Sequence, residues 1–155
     1  MAKIWKKGRG KLGAFAPLLG TWIAETTSEM GPVRCHRKLE PILGSTYLRL
    51  DVRWEIGSGA TGRLYEELAI IGVGDDGRVG FWSFTSDGKR SQGSLADVTD
   101  VHPEAIGFEA EMSAGRARMV YWPASDGGFH WAVESRTKKG WNRFTEHWYR
   151  AAPTA

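Results

Sequence analysis

Arg143, Thr145, His147 and Tyr149 recur at every second residue near the end of the chain. On a β-strand that spacing puts a guanidinium, a hydroxyl, an imidazole and a phenol on one face, with Phe144, Glu146, Trp148 and Arg150 on the other. His147 and Tyr149, with Glu66, are the acid–base candidates if the chain is an enzyme. The second set is aromatic. The chain carries eight Trp and six Phe, and Trp22, Trp54, Phe81, Trp82, Phe84, Phe108, Trp122, Phe129, Trp131, Trp141 and Trp148 fall one or two at a time along it. Rigid aromatic walls with a few polar groups suit a flat or apolar ligand. The expected lining is Trp54, Glu66, Trp82, Arg118, Trp122, Trp131, His147 and Tyr149, with a completely filled core as the rival expectation.

No residue set names a reaction. Gly-x-Ser-x-Gly, His-Glu-x-x-His, a Walker loop and paired cysteines are all missing, so no catalytic residue is assigned and no metal site is expected. Gly72-x-Gly74 precedes a turn between strands, where a dinucleotide fingerprint would precede a helix. Cys35, the only cysteine, shares parity with Val33 and Leu39 and reads as a small buried side chain. Arg49, Asp51, Arg53 and Glu55 read as an exposed charge ladder, and Glu109 and Glu111 as facing solvent.

The elements that would position these groups are strands. Turn signals such as Asp76-Gly77, Asp87-Gly88, Ala114-Gly115, Asp126-Gly127 and Lys139-Gly140 divide the chain into ten segments. Residues 46–56 alternate Thr46, Leu48, Leu50, Val52, Trp54 and Ile56 against charged partners. Residues 11–19 alone read as helical, and Pro17 limits them to a turn or two. Ten hairpin-linked strands laid flat would expose two edges, so an all-β, antiparallel up-and-down barrel with a short N-terminal helical turn is predicted.

The net charge of +3 belongs to one end. Lys3, Lys6, Lys7, Arg9 and Lys11 precede the first acidic residue, Glu25, and leave 16 basic against 18 acidic residues in the remainder. Residues 1–10 are thus expected to form a basic flexible arm, 11–150 the barrel and 151–155 a tail, with no specific nucleic-acid partner. The unpaired Cys35, and the lack of a leader or a long apolar run, set the expectation of a cytoplasmic monomer or homodimer with no membrane partner.

Gly20-Thr21-Trp22 at the first strand and Trp148-Tyr149-Arg150 at the last resemble the calycin pattern of lipocalins and fatty-acid-binding proteins. In that pattern the closing Arg packs over the opening Trp at the barrel floor. The run Pro41-Ile42-Leu43-Gly44-Ser45-Thr46-Tyr47-Leu48, with Tyr65-Glu66, Gly72-Val73-Gly74-Asp75, Ser91-Gln92-Gly93-Ser94-Leu95 and residues 116–120, is similar to an uncharacterised bacterial lipocalin-like domain family. The resemblance implies a ten-strand barrel with a cavity and carries no activity. In fatty-acid-binding proteins an Arg-x-Tyr pair grips a carboxylate, and here His147 stands in place of that Arg. Nitrobindins, also ten-strand barrels, ligate haem through one late His, a role that would fall to His147. The Gly-rich motif that follows their Trp is replaced by Ile23-Ala24-Glu25-Thr26, so no cofactor is expected. The function expected first is binding of a small apolar or aromatic molecule in the barrel cavity. The alternatives are a small enzyme of the cyclase, isomerase or decarboxylase type that calycin-type barrels can host, and nitrobindin-like haem binding.

Overall fold

Period-two alternation, interrupted by turn residues, yields ten antiparallel strands in the computed structural model, which describes residues 5–153. They are β1 (Gly20–Ser28), β2 (Gly31–Ile42), β3 (Tyr47–Ile56), β4 (Arg63–Val73) and β5 (Val79–Thr85), then β6 (Arg90–Ala96), β7 (Ile106–Met112), β8 (Gly115–Pro123), β9 (Phe129–Thr137) and β10 (Gly140–Ala151). Each strand pairs with the next, and β1 closes on β10 through Trp22↔Ala151 and Ile23↔Arg150. The predicted closed up-and-down barrel is therefore what forms. Closure leaves no sheet edge to attract another chain.

Cross-strand partners share a face, so the register sorts inside from outside. Trp22↔Arg37, Arg37↔Val52, Val52↔Glu67 and Glu67↔Thr85 run around the inner wall on β1 to β5. Phe108↔Met119, Met119↔Val133 and Val133↔Thr145 continue it on β7 to β10. The predicted charge ladder on β3 faces outward and is exposed or half-buried, with Arg49 bonded to Asp51 at 3.0 Å and His36 of β2 to Glu55 at 2.8 Å.

A 3-10 helix over Gly13–Leu18 closes the end at which β1 starts. Phe15, fully buried, stacks on Phe108 at 5.4 Å, and Phe81 meets Phe108 edge-on at 5.0 Å. The Trp22 indole N–H donates to the Leu18 carbonyl at 2.9 Å and anchors the helix. With Leu39, Leu50, Ile71 and Phe129 these side chains fill the floor, where only about 10 Å³ stays empty. Arg150 does not complete the calycin floor. Its register partner is Ile23, which puts it on the outer face, where its guanidinium lies 5.7 Å from the Trp148 ring centre.

Met1 to Ile4 of the expected basic arm, and Thr154 and Ala155 of the expected tail, lie outside the described residues. Trp5 packs against the core cluster and its indole donates to the Glu104 carbonyl at 3.1 Å. The segment 97–105 folds over the outer face of β7 and β8. Val98 sits so close to Gly107 that a Cβ there would lie 2.7 Å from Val98 Cγ1. Val120 and Ala132, the next residues around this outer face, are fully buried. The barrel thus has a second apolar layer, on its outside.

Candidate functional site

The inner stripe of β2 reads Val33, Cys35, Arg37, Leu39, three apolar side chains and one cation. Arg37 is only 2% exposed, held across the lumen by the Tyr121 hydroxyl of β8, which accepts from its Nη1 at 2.7 Å. Three rings surround the guanidinium, with centres 4.9 Å away at Trp131, 5.3 Å at Tyr149 and 5.4 Å at Tyr121. Among the described residues no carboxylate comes within ion-pair distance of it. Glu67 faces the same lumen from β4 and accepts a hydrogen bond from the Ser83 hydroxyl of β5.

Burial tunes the neighbours of Arg37 toward neutrality. It pushes the Tyr149 phenol up to about 12 and the Cys35 thiol up to about 11, against the opposing pull of Arg37. Burial and the adjacent cation together hold His147 down to about 4. At neutral pH the groups touching the guanidinium are therefore uncharged, and the negative charge that acts on it is the Glu67 carboxylate, from beyond ion-pair distance. The cluster is also short of hydrogen-bond partners. Arg37 Nε, Trp54 Nε1, Trp131 Nε1, His147 Nδ1 and the Tyr149 hydroxyl are the buried side-chain polar atoms, among the described residues, that make no well-formed hydrogen bond in the protein. All five belong to touching groups: the His147 ring is 5.0 Å from Trp54, 5.1 Å from Trp131 and 6.0 Å from Tyr149. Each such orphan costs ~1–3 kcal/mol in a folded core.

On the far side of Arg37 from the packed floor the barrel is open. A pocket of about 300 Å³ is walled by Val52, Trp54, Tyr65, Phe81, Phe108, Met119, Trp131 and Val133, with Arg37, Glu67 and Ser83 as its inner polar groups. Its rim carries Thr85, Lys89, Arg90, Met112 and Phe144. Phe144 sits where the β9–β10 register slips between Arg143 and Thr145, and that bulge leaves it 60% exposed at the mouth.

Four of the eight residues expected to line a site are inside: Trp54 and Trp131 on the pocket wall, and His147 and Tyr149 packed behind them. The side chains of the other four project outward, although Arg118 also borders the pocket between Ala117 and Met119. Glu66 is exposed, its register partner being Arg53, and the inward carboxylate is its neighbour Glu67. Trp82 pairs with Ile70 and Gln92 and lies against Gly74 and Gly80. Trp122 stacks on His130 at 5.3 Å beneath the Arg143 guanidinium. Arg118 bonds Glu134 at 2.7 Å and Asp100 at 2.7 and 2.9 Å. The acid–base set of Glu66, His147 and Tyr149 is accordingly split across the barrel wall.

Haem does not fit at His147. Axial ligation needs a porphyrin to approach an imidazole nitrogen, and here Trp54 and Trp131 pack against the ring, which has no place on the pocket wall. Arg37, the centre of the cluster, was absent from the sequence expectation, although its parity with Cys35 and Leu39 is plain in the chain.

No family model matches this chain, and no curated protein matches it. Among solved structures it is similar to a de novo designed fluorescence-activating β-barrel, at 21% identity. That match covers 72% of this chain and 95% of the designed one, with a TM-score of 0.45. Among the described residues no helix is long and apolar enough to cross a membrane.

Proposed function

We propose that the chain binds one small apolar or aromatic molecule in the mouth half of the barrel. The observation that carries this reading is the division of the interior at Arg37. The floor half is packed to a residual 10 Å³, whereas the mouth half keeps about 300 Å³ between aromatic walls. That volume lies at the lower end of the ~300–1,000 Å³ of small-molecule sites. Apolar burial at ~25 cal/mol per Å² brings micromolar affinity within reach of a two-ring ligand after association costs. Met112 and Phe144, exposed at the rim, continue the apolar surface out to the entrance.

Titration with the neutral dye N-phenyl-1-naphthylamine tests this. The expected result is one saturable site with quenching of protein Trp fluorescence. Trp54→Ala or Trp131→Ala should weaken binding about tenfold, the ~1–2 kcal/mol lost with part of an aromatic wall, and Trp148→Ala, outside the barrel, should leave it unchanged. A titration that never saturates, or one equally sensitive to Trp148→Ala, contradicts the reading.

A further inference from the structure

We propose that the molecule taken up is an acid, a small aromatic carboxylate whose anionic end seats on Arg37. This rests on the reading of the mouth half as a binding pocket and adds the chemical class of what enters it. An arginine stays charged at every physiological pH, and burying a charge without a partner is among the costliest things a core can do. Arg37 is 2% exposed and donates its hydrogen bond to the neutral Tyr121 hydroxyl, yet it also reaches the pocket wall. A merely structural arginine would be met by a carboxylate, as Arg118 is on the outer face by Asp100 and Glu134. Here the carboxylate on the pocket wall, Glu67, acts on Arg37 only through space, from two strands away, and its hydrogen bond comes from Ser83.

The surrounding atoms match the charge. Of the five polar atoms without a well-formed hydrogen bond, the Arg37 and two indole nitrogens can only donate, and the Tyr149 hydroxyl can do so as well. A ligand carboxylate brings two acceptor oxygens and one negative charge into direct contact with the guanidinium, a contact that Glu67 does not make. The fork of a guanidinium accepts a carboxylate in two parallel hydrogen bonds. The indole and phenol walls of Trp54, Trp131 and Tyr65 then face the ring system of the acid. Lys89 and Arg90 at the rim give the entrance the sign that favours an anion.

The test compares 2-naphthoate with 2-naphthamide, equal in shape and differing in charge, by calorimetry on the full chain. The wild type should bind the acid at least tenfold more tightly than the amide. Arg37→Met should abolish that preference while retaining the amide, the retained amide showing that the pocket is still folded. Arg37→Lys keeps the charge and loses the fork, and should show a reduced preference. Equal binding of acid and amide by the wild type overturns the proposal, as does an Arg37→Met or Arg37→Lys protein with the full preference. Inorganic phosphate or acetate displacing naphthoate at comparable concentration would also overturn it, since the site would then be one for a free anion. Saturable dye binding without acid preference sinks this inference alone, whereas failure of dye, acid and amide together sinks the pocket.

Discussion

Burial beside Arg37 keeps the His147 imidazole neutral far below its ordinary range, and that has a consequence for stability. Its value in the folded chain is about 4 against an ordinary 6.5, so between those limits the unfolded chain binds the extra proton. His147 thus contributes stability that is present in full above about pH 6.5, and it is lost as pH falls toward 4. The groups facing it are the Arg37 cation, the neutral Tyr149 phenol and the two indoles. Denaturation curves from pH 7 to pH 4 should show a steeper loss for the wild type than for His147→Leu. Parallel curves would place the imidazole in solvent. Trp54 was legible in the sequence because it continues the alternating stripe Thr46, Leu48, Leu50, Val52. The face of His147 and Tyr149 was not, since aromatic and polar side chains stand on both faces of the last strand. Arg37 was passed over because a charged residue between Cys35 and Leu39 reads as a surface residue until its strand parity is taken literally.

At the scale of elements, β8 is where parity misled. Arg118, Val120 and Trp122 share one face and Ala117, Met119 and Tyr121 the other, and both faces carry apolar side chains. Hydropathy cannot choose between them, because the 97–105 segment buries the outer face almost as thoroughly as the lumen buries the inner one. The fold was readable from turn chemistry alone, but a long-range covering segment leaves no mark within the strand it covers. Arg118 is accordingly a fastener. It joins Asp100 of the covering segment to Glu134 of β9, and Arg143 and Glu146 of β10 extend the chain of ion pairs at 2.9 and 2.6 Å. Arg118→Met should destabilise by about 3 kcal/mol, the lower end of the ~3–5 kcal/mol for breaking a buried pair, since Arg143 remains to hold Glu134. Dye affinity should stay within twofold of wild type. Urea denaturation and the dye titration, run on the same protein, check both halves. Lost affinity at unchanged stability would put Arg118 back in the pocket.

Taken whole, the molecule is a barrel plugged from its starting end by a 3-10 helix and aromatic packing, with Arg37 at the boundary between filled and open halves. Aromatic residues serve three different surfaces: the floor through Trp22, Phe15 and Phe129, the pocket through Trp54 and Trp131, and the outer wall through Trp82, Trp122, Trp141 and Trp148. Composition announced the aromatic content but not this partition, which depends on register around a closed sheet. The partition makes the central claim directly observable, because each indole N–H gives its own signal in a nitrogen–proton correlation spectrum. On titration with 2-naphthoate, the signals of Trp54 and Trp131 should shift together and saturate at one equivalent, while those of Trp82, Trp122, Trp141 and Trp148 stay in place. Shifts led by the outer-wall indoles, or indole signals that do not move at saturating acid, would contradict a ligand site in the mouth half of this barrel.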